Sequence, residues 1–188
     1  MGKHPLVIGV IAAAIGCLAA HLLWALSEEH SPWTALLFAL FPTPVLVETA
    51  RLVALYAIFG PTGAGRGGLR FAFGFALVMG LVAGGGRLHH ATIDAFLPLA
   101  FLSSFALHYF LSLTGVAIKA LNGPPMAIFC VLAIIHGAHN GAMIAAEREL
   151  EPLTAMMIHV AAAAAYGALA LWLARGRMSK VAREQAAR

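Results

Sequence analysis

Apolar residues in this chain come in blocks of about 20, the length a helix needs to cross roughly 30 Å of hydrocarbon. Six such blocks predict six membrane-spanning helices: Leu6 to Leu26, Trp33 to Phe59, Leu69 to Leu88, Ile93 to Val116, Pro125 to Ala146, and Leu153 to Ala174. The second block is the longest and carries Pro42 and Pro44. A proline removes an amide donor and clashes with the preceding turn, so a kink or break is expected near that pair. The third block reads FAFGFALVMGLVAGGG, with Gly80 and Gly84 in a small-xxx-small arrangement and Gly74 one stagger away. Glycines so spaced predict close packing against neighbouring helices in lipid. The pattern therefore predicts an all-α, polytopic membrane helix bundle that forms one domain over residues 1–188.

Composition agrees and removes other classes. The chain is 61% hydrophobic and only 11% charged, against roughly 25% charged residues in a soluble domain. The formal charge of +4 is not a nucleic-acid signature, because the basic residues sit in loops and in the tail. Arg175, Arg177, Lys180, Arg183 and Arg188 directly follow the last apolar block, where they suit anionic lipid at a cytoplasmic face. The expected partner is the lipid bilayer, with no nucleic acid. Lys3, Arg66, Arg70 and Lys119 fall on the same side as the tail if both termini are cytoplasmic, and only Arg87 and Arg148 fall outside. Glu28, Glu29, Glu147, Glu149 and Glu151 then occupy the outer loops. Retention of positive loops in the cytoplasm thus predicts both termini inside, in a prokaryotic plasma (inner) membrane. Cys17 and Cys130 lie in separate blocks without ligand spacing. The block around Cys17 continues to Leu26, which favours a retained span over a removed signal.

A charge at mid-bilayer costs about 2.5–3.5 kcal/mol on insertion scales, so polar residues inside spans face a bundle interior and usually carry a function. They are few here: His21, Glu48, Arg51, His108, His136, His139, Asn140 and His159. Glu48 and Arg51 are three residues apart on one helix face and are able to neutralise each other. Arg51 is long enough to snorkel toward the inner end; Glu48 is not. His136, His139 and Asn140 share one turn of the fifth span, and His159 lies on the following antiparallel helix. At about 1.5 Å per residue, Glu48, His108 and His136 fall near one depth and His159 roughly 6 Å nearer the outer face. A carboxylate that activates water beside an imidazole or amide that polarises a carbonyl is the division of labour of general-base hydrolysis. Alternatively Glu48, His136, His139 and His159 form a donor set suited to zinc. His4, His30, His89 and His90 read as solvated interfacial residues.

Three segments resemble the anterior-pharynx-defective (Aph) subunit of γ-secretase: VLVETARLVALYAI, FGFALVMGLVAG and, most specifically, AIIHGAHNGAMIAAERELEPLTAMMIHV. The resemblance runs from about Ala35 to Leu171 and puts Glu48, Arg51, His136 and His159 at that family's polar positions. Through it the chain resembles the wider superfamily of glutamic-type intramembrane proteases, which includes the PrsW and CAAX-protease-like groups. Those enzymes carry paired glutamates, a following basic residue and an HxxxN element. His136 to Asn140 fits HxxxN, whereas Val47 stands in place of the first glutamate and Met79 in place of a further one.

These readings converge on an expectation of a membrane peptidase, of glutamic or metal-assisted type, acting on a membrane-protein or peptide substrate. Glu48 is the expected general base, His136, Asn140 and His159 share the site, and Arg51, His139 and His108 support it. No cofactor is required, with zinc the alternative. Two further readings stay open: a non-catalytic scaffold that docks a membrane partner subunit, as the Aph subunit does, and a transporter or metal-binding protein in which Glu48 and the histidines relay protons or hold a cation.

Overall fold

In the computed structural model the described residues are 4–26, 31–57, 66–88, 96–120 and 124–186. Among them every element is helical: α1 (Pro5–Ala25), α2 (Pro32–Leu40), α3 (Pro42–Ala57), α4 (Arg66–Leu88), α5 (Phe96–Ala120), α6 (Pro125–Glu149) and α7 (Pro152–Ala186). Six spans are long and apolar enough to cross a membrane, in agreement with the six predicted blocks. Lys3, Glu28, Glu29, His30, His89, His90 and Asp94 lie outside the described residues.

Proline sets most of the helix starts. Pro5, Pro32, Pro42, Pro125 and Pro152 each occupy the first position of a helix, where the missing amide hydrogen has no intrahelical partner to lose and the fixed φ is already helical. Ser31 strengthens one of them by accepting from the Thr34 amide at 3.1 Å. The expected break in the second span falls at Pro42. Phe41 leaves helical geometry there, with φ −124° and ψ −71°. Phe41 N still donates to Leu37 O and Val45 N to Phe41 O, each at 3.0 Å, so α2 and α3 are two halves of one bent span, Trp33–Tyr56.

The helices form a ring in the order α1, α4, α5, α7, α6, α3 and back to α1, and α5 reaches across it to α3 and α6. The glycine block makes part of this ring possible. A Cβ at Gly74 would run into the Leu6 carbonyl, and one at Gly9 into the Phe71 carbonyl, so α1 and α4 touch backbone to backbone; one at Gly80 would lie 3.0 Å from the Phe101 ring of α5. Ala12, Ala13, Val47, Leu55, Phe71, Phe75 and Met79 fill the seam between α1, α3 and α4.

The distribution of polarity is inverted relative to a water-soluble bundle. Ile15 is 58% and Trp172 71% exposed on the outside, while Glu48, Arg51, His108, His136, His139 and His159 are buried inside. Only a lipid surround removes the cost of such an apolar exterior. Several boundaries differ from expectation, with α4 starting at Arg66 before Leu69 and α5 running past Val116 to Ala120. Glu147, Arg148 and Glu149 are not in an outer loop but in the last turn of α6, which ends at Leu150. The last helix does not stop near Ala174 but continues to Ala186, and 35 residues at 1.5 Å each give about 52 Å, well beyond a bilayer core.

Candidate functional site

The buried polar residues form two networks at different depths. The deeper one sits at the centre of the ring, where α3, α5 and α6 meet. Glu48 and Arg51 share one face of α3, and Arg51 Nη1 donates to Glu48 Oε2 at 2.6 Å. The other carboxylate oxygen, Oε1, receives His136 Nδ1 of α6 at 2.9 Å. Arg51 Nη2 reaches His108 Nδ1 of α5 at 2.7 Å, and its guanidinium carbon lies 4.2 Å above the Phe75 ring of α4. The His108 and His136 rings meet edge to face with centroids 4.4 Å apart. Four helices thus contribute to one charged cluster that excludes water: Glu48 and Arg51 have no exposed surface.

The partners determine where the protons sit. A guanidinium only donates, so His108 Nδ1 accepts and the neutral ring carries its proton on Nε2. A carboxylate only accepts, so His136 donates through Nδ1, and the neutral form of the ring has its lone pair on Nε2. The cluster therefore holds a carboxylate bonded to an imidazole with a basic nitrogen, next to a second imidazole with an N–H to give. Arg51 Nε is buried without a hydrogen-bond partner among the described residues.

One glycine brings the two sides of this cluster together. A Cβ at Gly137, next to His136, would collide with the Leu40 carbonyl at the end of α2. Its absence lets α6 lie directly on the α2–α3 elbow. Asn140, one turn on, secures the contact by donating Nδ2 to Ala39 O at 3.2 Å.

The second network lies nearer the ends of the helices. Ser103 Oγ of α5 is 2.9 Å from His159 Nδ1 of α7, and His159 Nε2 is 2.7 Å from Glu147 Oε1 of α6. From Pro152 to His159 the helix rises about 10 Å, whereas from Trp33 to Glu48 it rises about 22 Å. His159 thus does not join Glu48, although the two were expected in one site. A cavity of about 430 Å³ opens beside this second network, lined by Ser103, Ser104, His139, Asn140, Glu147 and His159 together with Trp24, Phe38, Met143 and Ile144. His139 packs edge to face against Tyr166, with centroids 5.5 Å apart, and it and Asn140, on the same stretch of α6 as His136, line the cavity. His21 is exposed on the outside of α1 and takes no part.

Of the expected metal donors, Glu48 and His136 are together, but the third member of their group is His108 in place of His139 or His159. Their ligand atoms lie within 4.8 Å of one another. Zinc bonds of about 2.0–2.2 Å bring tetrahedral ligand atoms to roughly 3.3 Å apart, so these side chains would have to contract to hold an ion, with Arg51 already bonded to Glu48 Oε2 and His108 Nδ1. The sequence offered no pointer to Ser103 or to Glu147 as a histidine partner. Comparison with protein-family models, curated proteins and solved structures finds no match.

Proposed function

We propose that the chain is an integral membrane peptidase of the glutamic type, with both termini cytoplasmic, in which the Glu48–His136 couple activates water and His108 stabilises the oxyanion. The meeting of Glu48, His108 and His136 from three helices in a water-excluded centre carries the proposal. Arg51 and His136 take two of the roughly four acceptor positions of the Glu48 carboxylate, which leaves capacity for a water that is admitted only when the otherwise dry cluster opens to substrate. The proton released as that water attacks a peptide carbonyl passes to the couple, whose His136 Nε2 is the basic atom, and as the C–N bond breaks the couple returns that proton to the departing amine. The His108 Nε2–H, kept on that nitrogen by Arg51, is the donor for the developing oxyanion, and the adjacent guanidinium favours its negative charge. The cavity does not reach Glu48, His108 or His136 directly, but Asn140, one turn from His136, lines it, and substrate approaches from that side.

The resemblance to glutamic intramembrane proteases supports this reading, whereas the resemblance to the Aph subunit supports the scaffold alternative. Val47 and Met79, where the protease groups carry further glutamates, are buried apolar side chains here, so Glu48 acts as a single carboxylate with imidazole help. Purified protein in proteoliposomes, given a library of single-span peptides, tests the proposal. Cleavage should fall by at least about 100-fold in Glu48→Gln, the scale of a general base. Undiminished cleavage in that variant refutes it. A wild-type protein that cuts nothing and copurifies with a stable membrane partner favours the scaffold reading instead.

A further inference from the structure

We propose that Ser103, His159 and Glu147 form a serine–histidine–glutamate triad, with Ser103 as nucleophile toward a carboxylic ester whose apolar acyl group fills the adjoining cavity. This site is separate from the Glu48 cluster and shares none of its residues. Its three members come from α5, α7 and α6, and all three line the cavity.

The order of hydrogen bonds is that of an activated hydroxyl. The Glu147 carboxylate accepts from His159 Nε2–H at 2.7 Å, so the neutral ring is left with its lone pair on Nδ1. Ser103 Oγ, 2.9 Å from that atom, is then the donor. The Ala100 carbonyl, at 3.4 Å, competes for the same single proton and is the poorer acceptor by distance. Serine here faces Nδ1 and the acid faces Nε2, and either assignment works provided the base nitrogen faces the hydroxyl and the other nitrogen is held by the carboxylate. The next residue offers a contrast. Ser104 lines the same cavity, but its proton goes to the Met79 carbonyl at 3.2 Å, which ties helix to helix and leaves the oxygen unactivated.

The cavity specifies the substrate class. Trp24, Phe38, Met143 and Ile144 supply apolar wall, suited to an acyl chain, and about 430 Å³ is within the range of small-molecule sites. Asn140 Nδ2 gives one hydrogen to Ala39 O and has a second to offer an oxyanion. In the first step Ser103 Oγ bonds to the acyl carbon while its proton moves to His159 Nδ1. The ester C–O bond then breaks, and the departing alkoxide takes that proton as an alcohol. Water attacks the acyl-serine next and gives one proton to His159, which returns it to Ser103 Oγ as the carboxylic acid leaves. Glu147 steadies the imidazolium in both halves.

Full-length protein in detergent is treated with a fluorophosphonate probe, the modified residue is mapped by mass spectrometry, and p-nitrophenyl octanoate hydrolysis is followed in parallel. The triad requires modification at Ser103, loss of modification and hydrolysis in Ser103→Ala, retention of both in Ser112→Ala, a serine of the same helix that does not line the cavity and makes no hydrogen bond among the described residues, and labelling slowed at least about 100-fold in His159→Gln. Should Ser103→Ala fail to fold, the residue mapped in the wild type decides alone, and Ser103→Cys, with a thiol whose alkylation depends on His159, supplies a second readout. A folded wild type that is unlabelled, or labelled anywhere except Ser103, overturns the proposal and assigns the three residues to helix–helix bonding.

Discussion

Replacing Glu48 with Met strands the Arg51 guanidinium at the centre of the ring, where it has no exposed surface and cannot escape by losing its proton. Removing one partner of a buried ion pair costs about 3–5 kcal/mol. His136 also loses the acceptor of its Nδ1–H, at 2.9 Å in the native protein, which adds about 1–3 kcal/mol. In a chain of this size each kcal/mol is worth roughly 2–4 °C in Tm, so Glu48→Met should lower the melting temperature by at least about 8 °C. Arg51→Met is gentler. The carboxylate it leaves behind can take up a proton and remain as a neutral acid, so the main losses are the contact with the Phe75 face, worth about 0.5–2 kcal/mol, and the donor to His108 Nδ1, worth about 1–3 kcal/mol. The double variant carries no buried charge at this position, and exchange of a buried pair for apolar side chains is often neutral or stabilising by about 1–4 kcal/mol. It should therefore melt above Glu48→Met despite holding one more substitution. Thermal unfolding of the four proteins in one detergent, followed by tryptophan fluorescence, completes the cycle. Losses that simply add, or a fall below about 3 °C in Glu48→Met, would show that water reaches the pair and that the dry centre is wrong.

Gly137→Ala should destabilise by about 1–3 kcal/mol and reduce peptidase turnover, because the new methyl meets the Leu40 backbone carbonyl, which cannot move aside. Gly141→Ala, whose methyl meets only the Leu40 side chain at 2.6 Å, should cost less; equal melting temperatures for the two would contradict the tight α6–elbow contact. Purified protein should carry substoichiometric zinc and keep its activity in chelator, since Arg51 already bonds to Glu48 and His108. One equivalent of zinc, lost in His136→Ala by elemental analysis, would establish a metal centre instead. Alkaline phosphatase fused at either terminus should be inactive and at Glu151 active; the reverse pattern would invert the orientation.

Much of the fold was legible because it depends on length and local chemistry. Block length predicts span number, the ring of Pro42 predicts the bend, and the absence of side chains at Gly74 and Gly80 predicts close neighbours, all without knowledge of which helix lies where. The depth of Glu48, His108 and His136 was legible too, since helical rise is fixed. Rotation about each helix axis was not, because it is set by packing. His136 and His139 show the consequence. Three residues turn a helix by about 300°, so their side chains diverge by roughly 60°, and in the assembled ring this divergence sends His136 to Glu48 and His139 to the Tyr166 ring. Ser103 was invisible for a related reason: its partner is 56 residues away, across the α5–α7 contact, which joins helices that are not neighbours in sequence. A buried polar residue's depth is thus written in its own helix, but its partner depends on the order of helices around the ring.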